Sequence, residues 1–119
     1  SNIDKEIATF SKFWLQDTLR NKMGFAGAIF SDDLSMKGTD YVGDIEAKVG
    51  KALESGCNMV LVCNDRPAAL GAINFMEKEK ISQSQKITEL KASQSISWTD
   101  LEKDIRRKDI IAKLNTIEK

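Results

Sequence analysis

The sequence predicts an α/β fold with two parallel strands and a helix-rich C-terminal tail. Two short apolar runs, residues 26–30 and 59–63, have the length and composition of strands buried on both faces. Segments with apolar residues three and four positions apart precede, separate and follow these runs, as in amphipathic helices. Because strands that alternate with helices pair in parallel, we expect right-handed crossover connections.

The N-terminal half is predicted to alternate helix and strand, and glycines mark the ends of its two helices. Gly24 and Gly56 stand where a helix C-cap glycine is expected. The predicted elements are, in order, a helix over residues 3–23, a strand and loop over residues 26–33, a loop to residue 42, a helix over residues 44–55 and a strand over residues 59–63.

Residues 66–119 are predicted to be helical. Pro67 suits the first turn of a helix that Asp65 caps and that runs to residue 79. Two further helices, over residues 81–92 and 99–117, are separated by residues 93–97, and Thr99 with Glu102 forms a predicted capping box. Two parallel strands do not make a stable sheet by themselves. Either a third strand lies in a segment predicted as helical, or the chain is part of something larger. On the second alternative, residues 1–119 are a single partial domain.

The composition excludes several classes of function. Lys and Arg number 18 and Asp and Glu number 18, so there is no electrostatic case for binding nucleic acid or an anionic membrane. The apolar runs are too short to span a bilayer, and no signal segment opens the sequence, so we expect a cytoplasmic protein. No phosphate-binding loop, dinucleotide glycine pattern or zinc spacing is present, so no cofactor or metal is expected.

Histidine and cysteine restrict the chemistry further. The chain contains no histidine, so a mechanism that needs an imidazole cannot run on this chain alone. Cys57 and Cys63 lie at the two ends of the second predicted strand, where a rise of ~3.3 Å per residue keeps the sulfurs too far apart to bridge. We expect two reduced, buried thiols.

The acidic pair Asp32 and Asp33 directly follows the first predicted strand. Ligands bind at the C-terminal ends of parallel strands in α/β folds, and a carboxylate there can act as nucleophile, general base or metal ligand. Acidic pairs in loops are also common as helix or turn caps. The pair alone favours the capping interpretation, so the choice between a capping and a functional role depends on the residues around it.

Three segments around this pair resemble glycoside hydrolase family 3, and more narrowly the bacterial β-N-acetylglucosaminidases of peptidoglycan recycling, the NagZ type. Residues 24–38, GFAGAIFSDDLSMKG, are similar to the family's nucleophile strand, GF-x-G-x-I-F-S-D-D-L-S-M. Trp14, Leu15, Leu19 and Arg20 match its W-L-x-x-x-L-R approach helix. Residues 52–64, ALESGCNMVLVCN, look like its A-L-x-A-G-C-D-M-V-L-V-C-N segment. Together these motifs cover residues 13–65.

The resemblance implies a (β/α)₈ barrel of which this chain supplies the C-terminal third, the last two strands and their helices. It implies removal of N-acetylglucosamine from muropeptides with retention of configuration. Asp32 is then the nucleophile that forms a covalent glycosyl–enzyme. Asp33 is implied as a supporting or capping residue, and Met36, with the loop to Gly43, borders the sugar pocket.

The chain departs from the family by what it lacks. The substrate-binding K-H-F-P-G-H-G segment is absent, and so is the loop whose histidine, paired with an aspartate, serves as acid/base in the family. Retaining hydrolysis needs both a nucleophile and an acid/base. We therefore expect a β-N-acetylhexosaminidase as the parent enzyme and no activity from this chain alone.

Two other classes remain open on the sequence. A small α/β module with unpaired strands can self-associate through its exposed sheet edges, whether or not its parent is an enzyme. A receiver-like domain can hold Mg²⁺ on an acidic pair at a strand end. The receiver-like fold needs five strands and a further strand-end aspartate and lysine, whereas the sequence predicts two strands.

Overall fold

A computed structural model describes residues 4–92 and 95–117 of the chain. It confirms an α/β fold whose described part has one sheet of two parallel strands. In chain order the elements are a 3₁₀ turn at Ala8–Phe10, a helix at Phe13–Lys22, strand β1 at Phe30–Asp33, a 3₁₀ helix at Lys37–Val42, helix α1 at Ile45–Ser55, strand β2 at Met59–Leu61, and helices α2 at Arg66–Lys78, α3 at Gln85–Thr88, α4 at Trp98–Lys103 and α5 at Ile105–Ile117.

The hydrophobic core lies on one side of the strand pair. Leu34, Val49 and Ala52 have no exposed surface, and α1 packs against β2, α2 and the two 3₁₀ segments. Phe30 and Met59 are register partners on β1 and β2, yet they remain 45% and 42% exposed. The expectation of strands buried on both faces is therefore wrong for the described residues.

Ser11 divides the segment predicted as a single helix over residues 3–23. Its backbone is extended, and its side-chain oxygen accepts a hydrogen bond from the Trp14 amide at 3.0 Å, as a helix cap does. The second helix contains π-type turns, since the Met23 amide donates to the Thr18 carbonyl five residues earlier. Gly24 follows with a φ of 67°, as its predicted place after the helix requires. Residue 3 lies outside the described residues.

Strand β1 begins four residues later than the predicted strand. The carbonyl groups of Phe25 and Gly27 accept hydrogen bonds from Arg20, and that of Ala26 accepts one from Lys86. Side chains therefore take up the backbone acceptors that a strand over residues 26–30 would offer to a neighbour. As a result β1 runs through the acidic pair, which the sequence analysis had placed after the strand.

The boundaries of α1 and α2 agree with the sequence. The Asp44 carboxylate caps α1 by accepting from the Ala47 amide at 2.9 Å, and Gly56 ends the helix with a φ of 120°. Asp65 caps α2 through the Ala68 amide at 2.9 Å, with Pro67 in the first turn. Strand β2 is shorter than predicted and ends at Leu61.

The C-terminal tail is less regular than predicted. Of residues 81–92, only Gln85–Thr88 is helical. Ser97 rather than Thr99 caps α4, because the Ser97 hydroxyl accepts from the Asp100 amide at 3.1 Å. The helix predicted over residues 99–117 breaks at Asp104, whose carboxylate accepts from the Arg106 amide at 2.8 Å and begins α5. Residues 93–94 and 118–119 lie outside the described residues.

The molecule is more extended than a closed domain of its length. Its radius of gyration is 19.0 Å, against about 13–14 Å for a compact domain of this size. Every residue of α5 is exposed. Among the described residues, no helix combines the length and apolar character needed to cross a membrane.

Removing a core side chain should destabilise this small core strongly. Leu34 is fully buried, so we expect Leu34→Ala to lower the free energy of unfolding by about 2–5 kcal/mol in urea denaturation. Leu70→Ala is the matched control, because Leu70 is 49% exposed on α2, and it should cost no more than about 0.5 kcal/mol. Equal losses in the two variants would contradict the placement of the core.

Candidate functional site

Asp32 and Asp33 are the last two residues of β1 and have different surroundings. The Asp32 side chain is exposed, whereas Asp33 is half-buried. The pairing of β1 with β2 is irregular between Phe30 and Asp33, so the two carboxylates are distinguished by their exposure and hydrogen bonds rather than by simple alternation of faces.

The Asp33 carboxylate connects the end of β1 to the end of β2. It accepts hydrogen bonds from the backbone amide of Cys63 at 3.0 Å and from the amide and hydroxyl of Ser35 at 2.9 and 2.7 Å. These hydrogen bonds, the one from Cys63 foremost, hold the pKa of Asp33 below its usual value. Asp33 is thus an ionised clamp between the two strand ends.

Asp32 leaves part of its carboxylate available. Its Oδ1 accepts a hydrogen bond from the Asp33 amide at 2.8 Å, while Oδ2 has no hydrogen-bond partner among the described residues. The Asp32 backbone amide donates to the Thr9 hydroxyl at 3.0 Å. An exposed carboxylate oxygen on a fixed strand end can meet a ligand at this edge of the sheet.

A β-bulge precedes the strand end. Between the bridged pairs Phe30–Met59 and Asp33–Leu61, β1 has two residues where β2 has one. The hydroxyl of Ser31, which is buried, accepts from the Leu61 amide at 2.9 Å and donates to the Asp32 carbonyl at 2.7 Å. One hydroxyl therefore lies between the two strands at the point where the extra residue enters.

Arg20 and Asn58 hold the other end of the strand pair. Asn58 Oδ1 accepts from the Arg20 guanidinium at 2.8 Å and from the Ile29 amide at 2.9 Å, and its amide nitrogen donates to Ser84 at 3.1 Å. The family segment that residues 52–64 resemble has aspartate at the position of Asn58. Asparagine keeps the hydrogen-bond acceptor of aspartate without its charge. Asn58 thus links the N-terminal helix, both strand segments and the chain before α3.

The loop after β1 is anchored along its length. The Met36 carbonyl accepts from the amide and hydroxyl of buried Thr39 at 2.9 and 2.6 Å, while the Met36 side chain is 41% exposed. Further along, the Tyr41 hydroxyl donates to Glu6 at 2.7 Å, and Lys51 pairs with the same carboxylate at 2.8 Å. The loop to Gly43 therefore presents Met36 from a fixed backbone.

The two cysteines differ, and the expectation of two buried thiols is right for one of them. Both are free thiols; Cys57 is buried, and burial raises its pKa to about 11, whereas Cys63 is exposed. In the part of the chain that the structure describes, no group of three or more His, Cys, Asp or Glu side chains is placed to hold a metal ion.

Sequence reasoning missed three residues that surround the acidic pair: Thr9, Ser31 and Ser35. Ser31 and Ser35 lie inside the motif that contains Asp32, so their closeness in sequence to the acidic pair could have indicated them. Thr9 lies 23 positions from Asp32, and no local pattern connects it to the strand. Only the folded chain brings its hydroxyl to the Asp32 amide.

Comparison with known proteins defines the class. The family model "Glycosyl hydrolase family 3 N terminal domain" matches residues 1–96, and the chain belongs to this family. Two of its curated relatives are the β-hexosaminidases of Actinobacillus succinogenes and Idiomarina loihiensis, which are 38% and 41% identical over 109 and 106 residues. These alignments cover 85% and 87% of this chain but only 31% and 32% of the relatives.

Solved structures agree with this relationship. NagZ from Neisseria gonorrhoeae, in complex with N-trifluoroacetyl-D-glucosamine, is 35% identical with a TM-score of 0.55, over 73% of this chain and 23% of that one. The β-N-acetylglucosaminidase from Thermotoga maritima is 28% identical with a TM-score of 0.55, over 71% of this chain and 20% of that one. The chain thus spans about a third or less of the length of the relatives that it matches.

Removing the Asp33 carboxylate should change the acid sensitivity of the fold. The pKa of Asp33 in the folded chain lies below the value of about 3.9 in the unfolded chain. The ionised Asp33 carboxylate therefore stabilises the fold above about pH 3.9, and this stabilisation is lost as the pH falls through the pKa of the folded chain. We expect Asp33→Asn to unfold at lower urea concentration at pH 7 and to lose less stability than the wild type on acidification.

Asp17→Asn is the control for this experiment, since Asp17 is exposed and makes no side-chain hydrogen bond within the described residues. Urea midpoints measured between pH 7 and pH 2 give the comparison. Wild type and Asp33→Asn with parallel pH profiles would show that Asp33 is not the clamp.

Proposed function

We propose that this chain supplies the nucleophile segment of a retaining β-N-acetylglucosaminidase, with Asp32 as the nucleophile. The observation that supports this most directly is the division of labour in the acidic pair. Asp33 is engaged by backbone and side-chain donors, whereas Asp32 is exposed with Oδ2 unbonded by any described residue. Membership of glycosyl hydrolase family 3 and similarity to β-hexosaminidases support the same reaction class.

The reaction assigned to Asp32 is a double displacement. Its carboxylate oxygen attacks the anomeric carbon of the terminal N-acetylglucosamine, the glycosidic bond breaks, and the leaving oxygen takes a proton from a general acid. Water, deprotonated by the same group, then attacks the anomeric carbon and releases the sugar and the Asp32 carboxylate. A rigid strand end suits this role, because the attacking oxygen must be held in one place.

We propose that β1 and β2 are the last two strands of a (β/α)₈ barrel. They are parallel, α1 connects them, and one face is covered while Phe30 and Met59 remain exposed on the other. A groove of about 630 Å³, lined mostly by apolar side chains of β2, α2 and residues 81–87, lies beside β2. A barrel of this kind has ~250 residues, about twice the 119 of this chain, so the remaining strands of the proposed barrel would come from the rest of the parent protein.

The proposed substrate of the intact enzyme is a muropeptide with a terminal N-acetylglucosamine, and the proposed role is peptidoglycan recycling in the cytoplasm. The name of the NagZ structure and its sugar analogue support an N-acetylglucosamine site in that relative. In this chain Met36, exposed on an anchored loop two residues from β1, is proposed to border the same sugar.

The chain alone is proposed to be inactive. It contains no histidine, so the family's histidine acid/base cannot come from these 119 residues. A nucleophile without a proton donor does not complete either displacement on an unactivated glycoside.

The alternatives fare differently. A receiver-like domain requires five strands, and the described residues form two, in a chain that belongs to a glycosidase family. Self-association is compatible with the proposed function, because the open face around Phe30 and Met59 is apolar and a net charge of zero places no overall repulsion between copies. We propose that the isolated chain covers this face with a second copy of itself.

Replacing Asp32 should abolish turnover where the rest of the barrel is present. The assay protein is the A. succinogenes β-hexosaminidase with its matched region replaced by this chain, given a chromogenic N-acetyl-β-glucosaminide. We expect Asp32→Asn to lower kcat by about 10³-fold or more. Asp17→Asn, on the outer surface of the N-terminal helix, should leave kcat unchanged. Full turnover by Asp32→Asn would remove Asp32 as the nucleophile.

A charge on the open face should prevent the proposed self-association. Light scattering of the wild-type chain should give a defined oligomer, and Met59→Lys should give a mass near 13.3 kDa. Met23→Lys is the matched control, because Met23 is 70% exposed at the end of the helix Phe13–Lys22, and this variant should behave as wild type. A monomeric wild type, or an oligomer unaffected by Met59→Lys, would contradict the proposal.

A further inference from the structure

We infer that Ser31 and Thr9 are positioning residues for Asp32, and that they act by holding the β-bulge through which Asp32 leaves the regular strand. The inference rests on the proposed role of Asp32. It adds two residues to the site, neither of which carries out a chemical step. Their hydroxyls contact the backbone of Asp32 rather than its carboxylate.

The bulge gives Asp32 its place. Asp33, not Asp32, is the bridge partner of Leu61, because β1 contains one residue more than β2 between the two bridged pairs. With regular pairing from Phe30 and Met59 onward, Asp32 itself would lie opposite Leu61. Asp32 would then stay on the face of Phe30, two residues away, but its backbone would become that of a bridged residue, and its carboxylate would be repositioned relative to the two strand ends.

Ser31 holds the bulge from within the strand pair. Its hydroxyl receives the Leu61 amide of β2 at 2.9 Å and donates to the Asp32 carbonyl of β1 at 2.7 Å. Ser31 is 4% exposed, so water does not reach this position freely. Loss of the hydroxyl would leave a buried amide and a carbonyl without their bridge, and regular pairing would be the way to satisfy them.

Thr9 holds the same residue from the other side. The Asp32 amide donates to the Thr9 hydroxyl at 3.0 Å, and Thr9 is 8% exposed. Thr9 is itself fixed, since its carbonyl lies 3.7 Å from the Cys57 sulfur and the next carbonyl, that of Phe10, accepts from Ser55 at 2.9 Å. The two hydroxyls therefore satisfy both the amide and the carbonyl of Asp32.

The test uses the isotopically labelled chain of residues 1–119 and needs no activity. Residual dipolar couplings and inter-strand nuclear Overhauser effects report which residue of β1 lies opposite Leu61. In wild type this should be Asp33. In Ser31→Ala it should become Asp32, with loss of the Cys63-to-Asp33 hydrogen bond, while Ser31→Thr should keep the wild-type pattern. Thr9→Val should change the Asp32 amide coupling and exchange rate, and Thr9→Ser should restore them.

Ser82→Ala is the matched control, because Ser82 is exposed and distant in sequence from the bulge. Unchanged signals from α2 show that each variant is folded. If Ser31→Ala and Thr9→Val both leave the bridge of Asp33 with Leu61 and the Asp32 amide coupling as in wild type, the inference is wrong. Should Ser31→Ala unfold the chain, Thr9→Val still decides the matter through the Asp32 amide.

The functional consequence is measured in the same grafted enzyme as before. We expect Ser31→Ala to lower kcat by about 10²-fold with little change in KM, since misplacing a reacting group costs this much. Ser31→Thr should recover most of the rate. If Asp32→Asn stays active, the proposed nucleophile is wrong while the bulge measurement stands. If Asp32→Asn is inactive but Ser31→Ala keeps full kcat, the nucleophile stands and the positioning role fails.

Discussion

The pairing of β1 with β2 depends on side-chain hydrogen bonds at three positions along the strands, and the site residues lie around this strand pair. Asn58 joins the two segments at their start, Ser31 lies between them in the middle, and Asp33 joins them at their end. Parallel sheets are normally stabilised by further strands and by cover on both faces. This pair has neither among the described residues, so its side-chain hydrogen bonds and the core beneath α1 stabilise it.

This arrangement explains why two adjacent aspartates have different hydrogen-bond partners. The Asp33 carboxylate is occupied by hydrogen bonds at the ends of the two strands. The hydrogen bonds that lower its pKa also leave it less available to a ligand. Asp32 contributes only its backbone to the structure at this point, apart from one oxygen bonded to the next amide. A carboxylate held in place by its backbone, with an oxygen left open, suits a nucleophile better than a structural acid.

The sequence predicted those features that depend on local chemistry. The caps at Asp44 and Asp65 and the turn at Gly56 followed from residue type, and the motif around residues 24–38 indicated the family that the comparisons confirm. The late start of β1 was not predictable, because Arg20 and Lys86 donate to the carbonyl groups of the residues just before β1, from 5 to 60 positions away. The contact of Thr9 with Asp32 was not predictable either, because the two residues are distant in sequence. The break at Ser11 does have a local signal, since a residue with a capping hydroxyl interrupts the apolar repeat there.

The most direct test of the account is hydrolysis of an unactivated N-acetyl-β-glucosaminyl disaccharide by the purified 119-residue chain, followed through the N-acetylglucosamine released, with mass spectrometry on the same sample. The account predicts no turnover by an intact chain of 13.3 kDa, since a nucleophile is present and a histidine acid/base is not. Turnover that disappears in Asp32→Ala would contradict it, because another residue of this chain would then have to supply the proton.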